Sequence, residues 1–162
     1  MTRPPASLQK KPGRQRGASL IEVLVAILIL SIGLLGLASM QLRAMRGAVS
    51  SVQRTQAVIL SHYILDLMRV DRVAASNLLY NTPGGLGQPL CAAPQALPGN
   101  FSQTEFSAWF ARVKTQIGKP ADATTCAAIV CNAQSVCTVQ LQWDDSASGG
   151  LPNQSLVITT QL

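Results

Sequence analysis

The sequence predicts an α+β fold: one long N-terminal helix, packed through its second half on a small antiparallel sheet, with one extra short helix. Three observations carry this. Residues 23–42 form a run of 20 positions without a charge. Residues 43–72 contain no proline and carry apolar side chains at spacings of three and four, the repeat of one helix face. Near the C-terminus, two stretches alternate apolar and polar, the repeat of half-buried strands.

The chain opens with a leader. Residues 1–17 hold Pro4, Pro5 and Pro12, five basic residues (Arg3, Lys10, Lys11, Arg14, Arg16) and no acid, so they are expected to be unfolded. A helix is expected from about Ala18–Ser19. At about 1.5 Å per residue, the uncharged run spans roughly 30 Å, enough to cross a bilayer. Glu22 stands at its front. There it complements the helix macrodipole, yet a carboxylate deeper in a membrane costs on the order of 2.5–3.5 kcal/mol and is usually functional. Gly33 and Gly36 each cost about 1 kcal/mol in a helix interior and suit close helix packing in a membrane.

The second half of the helix is expected to present Met45, Val49, Val52, Ile59, Tyr63, Leu67 and Val70 as one stripe. Leu60, Ile64 and Met68 widen it where a head would cover it, and Arg43, Arg46, Ser50, Arg54 and Ser61 lie opposite. The helix is read as roughly 55 residues long, at about 3.6 residues per turn. Three parts follow: a leader over 1–17, a membrane and assembly half over 18–42, and a head over 43–162.

Residues 81–100 are rich in proline and glycine and read as a long loop. Ser102-Gln103-Thr104-Glu105 has the form of a capping box, with Phe101 and Phe106 placed for a hydrophobic staple. Phe106, Trp109, Phe110, Val113 and Ile117 continue at helical spacing until Gly118 and Pro120 end the helix. That aromatic stripe reads as core. Strands are expected over 127–131, over 136–143 with Val139, Leu141 and Trp143 on one face, and over 155–162 with Leu156, Ile158 and Leu162 on one face.

The net charge of +6 does not indicate a nucleic-acid partner. Five of the 13 basic residues stand in the leader, which leaves eight against seven acids, a net of +1. The basic, acid-free leader instead fits retention on the cytoplasmic side of a membrane. Cys91, Cys126, Cys131 and Cys137 in an exported chain are disulfide candidates. Four cysteines allow three pairings; the short loop between Cys131 and Cys137 favours that pair, with Cys91–Cys126 as the other. Zinc is disfavoured by the spacing and the single histidine, His62. Asp144-Asp145 could hold a cation, although paired acids at a strand end usually form a solvated turn. Gly84-Gly85-Leu86-Gly87 lacks the flanking strand and helix of a phosphate loop. No catalytic constellation and no cofactor site is visible. A secretory signal would have a shorter apolar run, and that run would not open with a glutamate.

The run Gly17-Ala18-Ser19-Leu20-Ile21-Glu22-Val23-Leu24-Val25 resembles the N-terminal signature of type IV prepilins and pseudopilins. In that family a prepilin peptidase cuts after the glycine and the new N-terminus is methylated. Carried over, the cut falls between Gly17 and Ala18, Ala18 is the methylated residue, and Glu22 is the glutamate that pairs with the N-terminal amine of a neighbouring subunit. Ala18 departs from the family's usual phenylalanine. The string from Ser19 to Ala38, Met68-Arg69, and Val139-Gln140-Leu141-Gln142-Trp143-Asp144-Asp145 are similar to the PilV type of minor pilin. Major pilins usually carry a proline just beyond Gly36; Leu37-Ala38-Ser39-Met40 has none, so any loosening of the helix rests on the glycines.

The resemblance implies a ladle-shaped pilin fold and a non-enzymatic part in priming type IV pilus assembly at the pilus tip. It implies roles in adhesion and motility. The implied partners are a prepilin peptidase, other minor pilins, the major pilin, a tip adhesin and the inner membrane. The N-terminus would be cytoplasmic and the head periplasmic, in a Gram-negative cell. A minor pseudopilin of a type II secretion system is the alternative, because the N-terminal signature fits both.

Overall fold

The computed structural model describes residues 17–92 and 101–162, so the leader before Gly17 lies outside the described residues. The chain divides into two compact units, one ending at Gln41 and the other Leu42–Leu162. A single helix, α1 (Leu20–Val70), contributes to both. It starts where the Ser19 carbonyl accepts hydrogen bonds from the amides of Glu22 (2.9 Å) and Val23 (3.2 Å). It stops at Asp71, whose backbone (φ −105°, ψ 55°) leaves the helical region, and five residues of α2 (Arg72–Ser76) follow. The expected helix is therefore interrupted near its end. Tyr80, which is buried, donates its hydroxyl to the Asp71 carboxylate at 3.3 Å. Burial first, and the Asp71 charge second, push that hydroxyl well above the ordinary tyrosine range.

In the first unit the apolar side chains of α1 are exposed on every side. The two serine hydroxyls on this part of α1 are satisfied within the helix: Ser31 Oγ donates to the Ile27 carbonyl (2.7 Å) and Ser39 Oγ to the Gly36 carbonyl (2.8 Å). Such a surface suits hydrocarbon, where an unmatched hydroxyl costs several kcal/mol.

In the second unit the buried face of α1 is Ala57, Leu60, Ser61, Ile64, Leu65 and Met68. This corrects the expected stripe. Met45, Val49, Val52, Ile59 and Val70 remain more than half exposed, and Ser61, expected on the open side, is fully buried. At about 100° per residue the two rows lie roughly a third of a turn apart, and periodicity alone does not say which one meets the head. Contacts with the head decide it. Ala57 and Ser61, one turn apart, are fully buried, and between them in sequence the Leu60 carbonyl accepts the Trp109 Nε1–H at 2.8 Å. Two more bonds tie the supposedly open face to the head: Ser50 Oγ donates to Asp145 (2.5 Å) and Gln53 Nε2 to the Ile117 carbonyl (2.8 Å).

Trp109 belongs to α3 (Phe101–Gln116), which buries Phe106, Trp109, Phe110 and Val113 as the spacing predicts. The helix begins at Phe101, so Ser102 stands within the first turn instead of at the cap. Phe101 is exposed and does not staple. The position before it lies outside the described residues.

The sheet is antiparallel in the order β1 (Cys126–Cys131), β2 (Val136–Trp143), β3 (Gln154–Gln161). β2 alternates as expected, burying Cys137, Val139, Leu141 and Trp143, while Leu156, Ile158 and Leu162 of the β3 segment pack against the same core. Both disulfides are formed: Cys91–Cys126, 35 residues apart, and Cys131–Cys137, 6 apart. Cys131 faces Cys137 directly across β1 and β2. The next pair out, Asn132 and Val136, is hydrogen-bonded, so the cysteines occupy a non-hydrogen-bonded pair, the closer of the two antiparallel spacings.

After α3 the chain is fastened by Asp122. Its carboxylate accepts from the Lys119 amide (2.7 Å), the Thr125 amide (2.9 Å), Thr125 Oγ1 (2.8 Å) and the buried Lys114 Nζ (3.0 Å). Only glycine fits beneath it, because a Cβ on Gly118 would stand 1.9 Å from Thr125 Oγ1 and 2.2 Å from Asp122 Oδ2. Burial alone would raise the Asp122 carboxyl. The hydrogen bonds from Lys119, Thr125 and Lys114 outweigh it and hold the group at about 2, below the ordinary 3.8.

Two outcomes follow for the full chain in detergent. A depressed folded-state pKa stabilises above the unfolded value, and that stability is lost as pH falls through the folded one. Denaturant titrations from pH 5 to 2 are expected to show a loss of about 2 kcal/mol between pH 4 and 2 that Asp122→Asn lacks. For the disulfides, chain entropy assigns about 4 kcal/mol to the longer loop and about 2 kcal/mol to the shorter. Replacing Cys91 and Cys126 together by Ala is therefore expected to lower the melting temperature more than replacing Cys131 and Cys137. The latter pair is the more deeply buried, so the reverse ranking would show that packing dominates.

Candidate functional site

The candidate site is the segment around the start of α1. Gly17, Ala18 and Ser19 are exposed and non-helical, and α1 begins at the next residue. A Cβ added to Gly17 would meet nothing within 4 Å. Among the described residues, packing therefore does not demand glycine there.

Glu22 lies in the first turn of α1, where the free N–H groups favour negative charge. Its side chain is exposed and, among the described residues, has no ion-pair partner. The next basic residue along the helix, Arg43, is 21 positions on, 43 less 22. That is about 30 Å away, at about 1.5 Å per residue. Within the described residues, the carboxylate is thus a charge at the mouth of an apolar run with no cation on its own helix to meet it. Gly17, Ala18 and Glu22 stand within a span of six residues by local sequence alone, whereas Cys91, Cys126, Cys131 and Cys137 belong to the other unit.

The adjacent acids Asp144 and Asp145 are not brought together on a shared ligand. Asp144 is exposed and accepts from the Ser146 amide (2.9 Å); hydrogen bonds from the Ser146 side chain and backbone hold it below the usual carboxylate range. Asp145 is buried and takes the Ser50 hydroxyl. Gly150 makes room for it, since a Cβ there would stand 2.2 Å from Asp145 Oδ2. Among the described residues no cluster of three or more His, Cys, Asp or Glu side chains could hold a metal ion. His62 is an exposed residue of α1. Sequence reasoning missed the roles of Ser50, Gln53 and Ser61 in seating the head, because polar residues on a helix read as solvent-facing.

Residues 12–38 match the family model of the prokaryotic N-terminal methylation motif, a motif found in type IV prepilin-like proteins. The match spans Gly17, Ala18 and Glu22 and ends at Ala38, within the apolar run. No curated protein and no solved structure matches the chain. The long helix, the three-stranded antiparallel sheet and the short helix are consistent with the pilin fold. Among the described residues α1 is the one helix long and apolar enough to cross a membrane, by length and composition. Motif and helix together point to membrane anchoring, to processing by a prepilin peptidase and to assembly with pilin partners.

Proposed function

We propose that this chain is a minor pilin of the PilV type. It is made as a prepilin, held in the inner membrane with its N-terminus cytoplasmic and its head periplasmic, and cut by prepilin peptidase between Gly17 and Ala18. It then joins other minor pilins in the complex that primes type IV pilus assembly and remains at the pilus tip. Its work is binding and not turnover. The observation that carries this reading is the methylation motif lying across the start of a 51-residue helix that carries Glu22 in its first turn. The string Ile32-Gly33-Leu34-Leu35-Gly36-Leu37 and the segment from Val139 to Asp145 favour a pilus subunit over a minor pseudopilin of type II secretion, which shares the N-terminal signature.

The mechanism is charge pairing in an apolar core. The amine freed on Ala18 has an ordinary pKa of about 8 and is mostly protonated at neutral pH. Placed against the Glu22 carboxylate of a neighbour, it removes the one unmatched charge from the helix bundle. In low dielectric such a pair selects register and partner more than it adds net stability.

Cleavage is tested by intact mass. The mature protein is expected to begin at a methylated Ala18, and Gly17→Val is expected to remain at precursor mass. A mature N-terminus near Ser39 would identify an ordinary secretory signal and end the pilin reading. The pairing is tested separately. Glu22→Ala keeps the leader and the apolar span, so it is expected to insert and be cut normally. Its recovery with other minor pilins is expected to fall about tenfold or more, equivalent to about 1.4 kcal/mol. Wild-type recovery would refute the pairing mechanism.

A further inference from the structure

The two edges of the sheet are treated differently. On the β1 edge, residues 81–90 seal the strand. Leu90 and Ala127 exchange two backbone bonds (2.8 Å each), and the Thr82 amide donates to the Ile129 carbonyl (2.9 Å). Asn81 both accepts from the Cys131 amide (2.7 Å) and donates to its carbonyl (3.1 Å). On the β3 edge, among the described residues, no backbone bond reaches the outer side. The parity of the ladder says which groups stand open. The Leu162 amide bonds to the Ser135 carbonyl, and the register continues as Cys137↔Thr160 and Val139↔Ile158. The even-numbered residues of β3 therefore bond inward to β2. Ser155, Val157, Thr159 and Gln161 direct their N–H and C=O groups outward, and all four are exposed.

β3 carries none of the features that usually blunt an edge. Its eight residues include no charge, no proline and no glycine. Beside it runs a row of cations from α1 and α2. Arg54 donates to Gln154 Oε1 (3.2 Å), Arg69 reaches Thr160 Oγ1 (3.5 Å), and Arg72 donates to the Leu162 carbonyl. The distances agree: 15 helical residues from Arg54 to Arg69 rise about 22 Å, and six strand residues from Gln154 to Thr160 rise about 20 Å. Helix and strand thus run side by side in the same direction. Among the described residues Arg69 has a side-chain carboxylate partner, Asp66 at 2.6 Å, and Arg54 and Arg72 have none. Between Arg54 and Arg69, Val58 is partly exposed and Leu156 and Ile158 are half-buried, with His62 and Asp66 exposed on the same helix.

We propose that the open edge of β3 accepts an extended segment of a partner protein as a fourth strand. The segment's helix-facing side chains are acidic at its two ends, opposite Arg54 and the Arg69–Arg72 pair, and apolar between. Main-chain bonds to Ser155, Val157, Thr159 and Gln161 supply the pairing, and the arginines select the sequence.

The test uses the full chain in detergent micelles and the peptide acetyl-Glu-Thr-Val-Thr-Val-Thr-Glu-amide, read by amide hydrogen exchange. The expected result is slowed exchange at Ser155, Val157, Thr159 and Gln161, with no change at Leu156, Ile158 and Thr160, which β2 already protects. A peptide with Lys in place of both Glu residues is expected to bind about tenfold or more weakly. Arg54→Gln with Arg72→Gln is expected to remove most of that difference. Val157→Pro deletes an N–H that β2 does not use, so it is expected to keep the fold and lose the peptide; the Glu and Lys peptides compared on the unaltered chain decide the matter independently of that variant. No alternating protection at millimolar peptide, or equal binding of both peptides, overturns the proposal. So does protection of the same four amides without peptide that grows with protein concentration, because the occupant is then a second copy of this chain.

Discussion

The head depends on one short row of α1. Ala57, Leu60, Ser61, Ile64, Leu65 and Met68 form the surface on which the core is built. The bond from the Trp109 indole to the Leu60 carbonyl sets the approach of α3 to that row. Once α3 is seated, Phe106, Phe110 and Val113 turn inward with Trp109, and the inner face of β2 closes over them with Val139, Leu141 and Trp143. A buried indole N–H without a partner costs about 1–3 kcal/mol, so the Leu60 carbonyl is a specific anchor for Trp109.

Charge is handled in opposite ways in the two units. In Leu42–Leu162, buried or half-buried charges are tied locally: Lys114 to Asp122, and Asp145 to Ser50. In the other unit the charge on Glu22 is left unmatched within the described residues, at the front of an apolar run. A head that ties its buried charges within itself and a helix start that does not is the arrangement expected of a subunit whose last contacts are made by other molecules.

Much of this was legible in the sequence because it rests on period and composition. The alternation in β2, the aromatic stripe of α3 and the uncharged span each follow from side chains whose placement is enforced by their own element. The face of α1 was not legible. Two apolar rows are written on the same helix, and the choice between them depends on contacts with the head, such as the Trp109 bond to the Leu60 carbonyl, that lie outside α1. The start of α3 was misplaced for a related reason: Ser102-Gln103-Thr104-Glu105 has the composition of a cap, but helix boundaries respond to the preceding residues as well. The sealing of β1 by Asn81, Thr82 and Leu90 was hidden within a stretch whose prolines and glycines read only as loop. For the candidate site, Gly17, Ala18 and Glu22 were legible as a local motif, since their arrangement needs nothing more than the first turn of a helix.

The placement of the two tryptophans has an optical consequence. Trp109 and Trp143 are the only indoles in the sequence, and both are buried in the head. Among the described residues, one has its Nε1–H bonded to a carbonyl of α1 and the other has no protein acceptor. Ultraviolet emission excited at the indole band therefore originates wholly in Leu42–Leu162, whatever lipid or detergent surrounds the first unit. The protein carries a built-in lamp for its head, and the redder of its two components marks the joint between α3 and the long helix.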